Sequence, residues 1–202
     1  MATGAGEFEA IVLAAGSGSR FGGGKLLASW AGGALLDGAL AAAFAAPVRR
    51  VVVVTGADAD AVETAARACA RRLGQGKRLQ VVHAADHAEG MGASLRRAAA
   101  ELPADCAGVF IFLGDMPRTP HAVLGQLAAV VDAGAPAAAP SFEGRRGHPV
   151  VIGPGLLPGL LTLQGDSGAR AILQDLGERL TLIEAPDDGV LFDVDERSDL
   201  PS

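Results

Sequence analysis

The sequence predicts an α/β protein with three layers, α/β/α, on a mainly parallel twisted sheet. Apolar strand-like runs alternate with helix-like segments from end to end of the chain, a pattern that puts helices on both faces of a parallel sheet. Val51-Val52-Val53-Val54 is an unbroken β-branched run, as expected of a strand buried on both faces. The length of 202 residues, half of them hydrophobic, suits one domain with a sizeable core.

Taken in order, the first strand covers residues 9–14, around the apolar run Ala10-Ile11-Val12-Leu13. An alanine-rich helix follows over 34–46 and leads through Arg49 and Arg50 into the valine strand at 49–55. Residues 58–73 read as a helix rich in alanine and arginine, with Cys69 as a small apolar filler. Strands are expected at 79–83 and 107–113, separated by a helix at 91–101. The remaining helices fall at 120–132 and 167–177, and the remaining strands at 135–140, 148–152 and 180–184. Residues 1–8 are expected to be a disordered tail and residues 9–202 a single domain.

Composition excludes several function classes. Net charge is −6 and there is no basic run, which argues against nucleic acid as a partner. No apolar run approaches the ~20 residues of a membrane helix, and the start, MATGAGEFE, lacks the pattern of a secretory signal. Cys69 and Cys106 stand apart with no C-x-x-C spacing; a reduced, cytoplasmic setting is the expectation. His83, His87 and His121 show no ligand spacing and are expected on the surface.

Chemistry concentrates after the first strand, at Leu13 to Lys25, LAAGSGSRFGGGK. Glycine lets backbone N–H groups approach a ligand closely, successive N–H groups make an anion-binding hollow, and Arg20 and Lys25 add positive charge. The loop is neither of two familiar phosphate motifs. A Walker A loop needs glycine where Ser19 stands and a hydroxyl where Leu26 stands. A dinucleotide fingerprint needs a helix where Gly22, Gly23 and Gly24 would break one.

Ligands in parallel sheets bind beyond the carboxyl ends of the strands. Phe110-Ile111-Phe112-Leu113 ends at Gly114-Asp115, so Asp115 faces the same edge as the glycine loop. It is a candidate magnesium ligand; the alternative is a cap on the helix beginning near Thr119 or Pro120. Near the end, Phe192-Asp193-Val194-Asp195 puts both carboxylates on one face if extended. Gly90-Met91-Gly92-Ala93-Ser94-Leu95 joins a glycine turn to a helix start, where Ser94 either receives ligand groups or caps the helix. In Gly144-Arg145-Arg146-Gly147-His148-Pro149 two arginines suit phosphate, and His148 is either a ligand contact or a buried hydrogen-bonding residue. In Gly165-Asp166-Ser167-Gly168-Ala169-Arg170, Asp166 or Ser167 either caps a helix or meets substrate.

In this order the segments resemble the motifs of the MobA-like nucleotidyltransferases, from Ile11 to Leu200, and within them the molybdenum cofactor cytidylyltransferase branch. The opening L-A-A-G-x-S-x-R-F-G-x-x-K is matched by Leu13, Ala14, Ala15, Gly16, Ser17, Gly18, Ser19, Arg20, Phe21, Gly22 and Lys25, with Ser19 one place later than the family's serine. The closing D-[IV]-D-x-x-x-D-L is matched from Asp193 to Leu200, with Glu196-Arg197 where the family has Thr-Pro. The resemblance implies a nucleotide-diphospho-sugar transferase-like, Rossmann-like sheet with one antiparallel strand. It implies transfer of CMP from CTP to the phosphate of molybdopterin, with Mg2+ as cofactor and a hydroxylase of the xanthine dehydrogenase type as client.

By the same resemblance, Arg20, Lys25 and Asp115 are catalytic. The nucleotide is held by Leu13, Ala14, Ala15, Gly16, Ser17, Gly18, Ser19, Arg20, Lys25, Gly90, Ser94 and Gly114, and the acceptor by Arg146, His148, Asp166 and Arg170. The metal is held by Asp115 with Asp195, favoured over Asp193. Ala15, where a related guanylyltransferase branch has glycine, favours cytidine. Alternatives are another nucleoside triphosphate with another phosphorylated acceptor, a non-catalytic cofactor chaperone, and an oxidoreductase using NADP.

Overall fold

The computed structural model describes residues 7–200. The sheet strands are β1 (Phe8–Ala14), β4 (Val48–Thr55), β5 (Leu79–His83), β6 (Gly108–Leu113), β7 (Ala137–Phe142), β8 (Arg145–Arg146), β9 (Val150–Ile152) and β10 (Leu180–Glu184). β2 (Ser29–Trp30) and β3 (Gly33–Ala34) form a separate small hairpin. The helices are α1 (Leu35–Ala45), α2 (Ala59–Arg72), α3 (Met91–Ala99), α4 (Leu124–Asp132), α5 (Leu157–Leu160) and α6 (Arg170–Leu176).

The main sheet runs β10-β7-β9-β6-β1-β4-β5, with β8 paired to β7. Along that path every strand is parallel except β9, which is antiparallel to β6 and β7. The expected architecture of a mainly parallel sheet with one reversed strand is therefore present, and β8 adds a short antiparallel flap.

Alternation along the strands builds the three layers, since successive side chains point to opposite faces. Ala10 and Val12 of β1, Val51 and Val53 of β4, and Phe110 and Phe112 of β6 enter one core with α1, α2 and α4. Ile11, Val52, Val54, Val109 and Ile111 enter the other, with α3, α5 and α6. The valines at 51–54 are fully buried, and each contributes about 1.5–3 kcal/mol of burial.

Several boundaries differ from the sequence reading. β1 begins at Phe8 because its ring is buried edge-on against Phe110; residues 1–6 of the expected tail lie outside the described residues. The expected helix at 120–132 opens as a 3-10 turn, His121–Val123, before α4. The expected helix at 167–177 is shorter, and passes at Gly177 (φ +52°) into a second 3-10 turn. The strand expected at 135–140 lies two residues later as β7. The β2–β3 hairpin, β8 and α5 were not anticipated; each spans only two to four residues, too few to show a period.

Chain order places the site. β4 and β6 pair on opposite sides of β1, so the strand order reverses at β1. That reversal opens a crevice at the carboxyl ends, where the loops after Ala14 and Leu113 emerge.

Candidate active site

Leu13 and Leu113 are register partners, and Gly114 N–H donates to the Leu13 carbonyl at 2.9 Å. The loops after β1 and β6 therefore leave the sheet side by side. The first makes a 3-10 turn, Ser19–Phe21, then three glycines with positive φ, then a second turn, Lys25–Leu27. No helix forms through Gly22–Gly24, as their sequence implies. Gly18 carbonyl accepts from Phe21 N–H at 3.0 Å and Gly23 N–H at 3.1 Å, folding the loop back on itself. Lys25 Nζ then reaches Asp115 Oδ2 at 2.6 Å.

The closing segment docks on the opening loop. Val194 is fully buried with Phe21 and Leu35, and its N–H donates to the Asp115 carbonyl at 3.1 Å. Asp193 and Asp195 thus flank a buried valine and stand near Asp115. Arg20 Nη1 meets Asp195 Oδ2 at 3.1 Å, and Lys25 Nζ lies 3.7 Å from Asp195 Oδ1. Glu196-Arg197, the departure from the family pattern, is accommodated: Arg197 stacks over the Phe21 ring at 4.8 Å. Asp199 accepts from the N–H groups of Asp195 and Glu196 at 2.9 and 2.8 Å, bonds that hold its carboxyl below the ordinary value. Loss of water raises the Asp193 carboxyl above the ordinary value, and the charges of Asp195 and Asp115 add to the rise.

Two cavities flank this cluster. One, of about 560 Å³, is lined by Ala15, Gly16, Ser17, His87, Gly90, Ser94 and Asp115. The other, of about 380 Å³, is lined by Arg145, Arg146, His148, Ser167, Arg170 and Asp193. Leu13, Met91, Leu113 and Asp166 line both, so the two spaces adjoin. The wall between them is zipped together: Gly92 N–H donates to Gly165 carbonyl at 2.7 Å. Gly90 has φ +118°, and a Cβ there would lie 2.4 Å from Asp166 Oδ1.

The capping alternatives are corrected by this geometry. Asp115 is turned to Lys25, and the turn at His121 has no side-chain cap. Ser94 is the fourth residue of α3, 3% exposed, and lines the larger cavity. α6 has no side-chain cap, and Ser167 contributes only its backbone carbonyl, to Arg170 N–H at 2.9 Å.

His148 sits in the smaller cavity with a buried Nδ1 that lacks a hydrogen-bond partner. Burial, with the charges of Arg146 and Arg170, brings its pKa down to about 4. A neutral imidazole with an open nitrogen suits a polar ligand edge.

Ala14, Gly18, Ser19, Arg20, Lys25, Gly114 and Asp195 line neither cavity; Ala14 is buried in the core with α1. His83 and His121 are exposed as expected. His87 is not a bystander on the surface but part of the larger cavity's wall; nothing in its spacing signalled this. Arg145, the second arginine of that segment, lines the smaller cavity with Arg146, and Met91 and Met116 are further cavity residues that the sequence reading did not assign. Among the described residues no three metal-ligating side chains form a group able to hold an ion alone, and no helix is long and apolar enough to cross a membrane.

A family model described as the MobA-like NTP transferase domain matches residues 10–180. The chain is 34% identical over 198 residues to a Paenarthrobacter nicotinovorans protein named nicotine blue oxidoreductase, covering 92% of this chain and 90% of that one. The fold superposes on Rv0371c of Mycobacterium tuberculosis H37Rv with TM-score 0.80 and 25% identity, covering 96% and 95% of the two chains. It superposes on a nucleotidyl transferase from Methanothermobacter thermautotroptrophicus with TM-score 0.78 and 27% identity, covering 96% and 94%. A structure of the mycobacterial protein complexed with manganese shares the fold, with TM-score 0.72 and 23% identity over 90% and 89%. With the family match over most of its length, this chain belongs to the MobA-like NTP transferase family.

Proposed function

We propose that the protein transfers CMP from CTP to the terminal phosphate of molybdopterin bearing molybdenum, with release of pyrophosphate. The observation that carries the reading is the pair of adjoining cavities with Lys25, Asp115, Asp193 and Asp195 beside them. The larger holds the nucleotide and the smaller, with its three arginines, holds an anionic acceptor.

An acceptor phosphate oxygen attacks the α-phosphorus. The new P–O bond forms as the bond from α-phosphorus to the α,β-bridging oxygen breaks, and its electron pair leaves on pyrophosphate. The attacking oxygen is already ionised at neutral pH, because a phosphate monoester has its second pKa at about 6, so no strong base is needed. Catalysis is positioning and charge neutralisation. Backbone N–H groups of Gly16 to Ser19 cradle the β- and γ-phosphates. Lys25 and Arg20 neutralise the leaving pyrophosphate and the α-phosphoryl oxygens. Arg146, Arg170, Asp166 and His148 orient the acceptor.

The donor set fits a hard divalent ion, which binds through one or two carboxylates plus substrate phosphates and keeps several waters. Asp115 with Asp195, or with Asp193, would hold it; Mg2+ there supplies positive charge to the phosphate oxygens. The product then serves a hydroxylase of the xanthine dehydrogenase type in the cytoplasm.

The test is pyrophosphate release from CTP and from GTP with Mg2+ and molybdenum-loaded molybdopterin. Release with CTP alone supports the reading. Release with GTP alone retains nucleotidyl transfer and overturns the inference from Ala15. No release with either, together with tight retention of the dinucleotide product, favours a cofactor chaperone.

A second reading rests on the relative named nicotine blue oxidoreductase. Here the smaller cavity takes a flat conjugated heterocycle and the larger a reduced nicotinamide nucleotide as hydride donor. Oxidation of NADPH dependent on such a heterocycle, without pyrophosphate release from any nucleoside triphosphate, distinguishes it.

A further inference from the structure

His87 opens a 3-10 turn, His87–Glu89, between β5 and α3, and lines the larger cavity. Its Nδ1 lies 2.9 Å from the Ala84 carbonyl oxygen. A carbonyl oxygen only accepts, so Nδ1 carries the hydrogen, and in the neutral ring Nε2 presents a lone pair.

The ring packs against the backbone just beyond the end of β4. A Cβ on Gly56 would lie 2.8 Å from His87 Cγ and 2.3 Å from the Ala15 carbonyl oxygen. Only glycine at 56 lets the imidazole, the end of β4 and the loop after β1 meet so closely. Ala57 N–H also donates to the Ala15 carbonyl, at 3.4 Å. The neighbouring acids are engaged elsewhere: Asp86 and Glu89 face Arg96 at 2.6 and 3.6 Å. The phosphates belong with the loop from Gly16 to Lys25, so the wall carrying His87 and Ala88 is left to the base.

Building on the nucleotidyltransferase reading, we propose that His87 selects the base, accepting at Nε2 a hydrogen bond from an exocyclic amino group. Cytosine offers that donor. Uracil offers a carbonyl in its place and meets lone pair with lone pair. A site built to bond such a group rejects the analogue lacking it strongly, because its own polar atom is left unpaired.

The test is direct binding of CTP and UTP by calorimetry, without acceptor, to the unaltered protein, to His87→Phe and to His87→Gln. The unaltered protein is expected to prefer CTP by about 10-fold or more. His87→Phe, which keeps a flat ring without an acceptor, loses most of that preference. His87→Gln retains it, because its amide oxygen accepts. Unaltered Trp30 emission shows that each variant is folded. Equal binding of CTP and UTP by the unaltered protein, or undiminished preference in His87→Phe, overturns the assignment to His87 while leaving nucleotidyl transfer standing. Failure of the unaltered protein to bind any nucleoside triphosphate overturns the nucleotidyltransferase reading itself, and His87 with it.

Discussion

Lys25 and Asp115, ninety positions apart, form a 2.6 Å ion pair at the carboxyl end of the sheet, with side chains only 13% and 24% exposed. The pair ties the loop after β1 to the loop after β6, and Asp195 stands 3.7 Å from the same ammonium. One lysine therefore serves two carboxylates, and the proposed function assigns it the phosphate chain.

Lys25→Ala should lower kcat with CTP at least 100-fold, about 3 kcal/mol, the scale of one preorganised donor. Steady-state pyrophosphate release measures it. Turnover near that of the unaltered protein would remove Lys25 from the catalytic set.

Gly90→Ala places a methyl group 2.4 Å from Asp166 Oδ1 and 2.6 Å from the Gly165 carbonyl, at φ +118°. The obstacle includes backbone, which cannot swing away. The substitution should cost about 1–3 kcal/mol and separate the two cavity walls. Urea unfolding reads the first effect, and KM for both substrates the second.

His148 ties stability to pH. Its pKa is near 4 when folded and 6.5 at its ordinary value. Between these values the unfolded chain binds the proton and the folded one does not. Its stabilising contribution is complete above about pH 6.5, is lost as pH falls toward 4, and stops changing below that. The full span is about 3 kcal/mol at 1.36 kcal/mol per unit. His148→Gln should flatten the pH dependence of unfolding in this window; an unchanged slope would sink the assignment.

Glu9 lies at the opposite end of β1 from the site, with 0% exposure, accepting from Arg49 Nε at 2.8 Å and Arg50 Nε at 3.3 Å. Glu9→Ala leaves two guanidinium groups without their buried partner and should cost about 3 kcal/mol. Nucleotide affinity should be unchanged in the folded fraction. Denaturant unfolding and CTP binding, measured together, check both halves.

Much of this was legible in the chain itself. The valine run at 51–54 and the apolar run before the glycine loop specify a sheet buried on both faces, because each residue is apolar whichever way it points. Gly114-Asp115 after four apolar residues puts a carboxylate at a strand end by geometry alone. Asp193-Val194-Asp195 places two acids on one side of a residue that is apolar and becomes buried. These are local constraints, and short-range periodicity carries them.

The rest was decided by long-range packing. Arg20 and Asp195 are 175 positions apart, and they meet because Val194 fills a small cluster with Phe21 and Leu35. α3 begins at Met91, as its sequence implies, which puts Ser94 inside the helix and not at its cap, whereas α6 begins three residues later than expected, at Arg170, and leaves Asp166 and Ser167 in the preceding turn. His87 reached the cavity only because Gly56 and Ala15 leave room for its ring. A sequence states which residues can serve a phosphate. Which of them share a cavity depends on the order in which β4 and β6 pair on either side of β1, and that is settled only when the sheet closes over both cores.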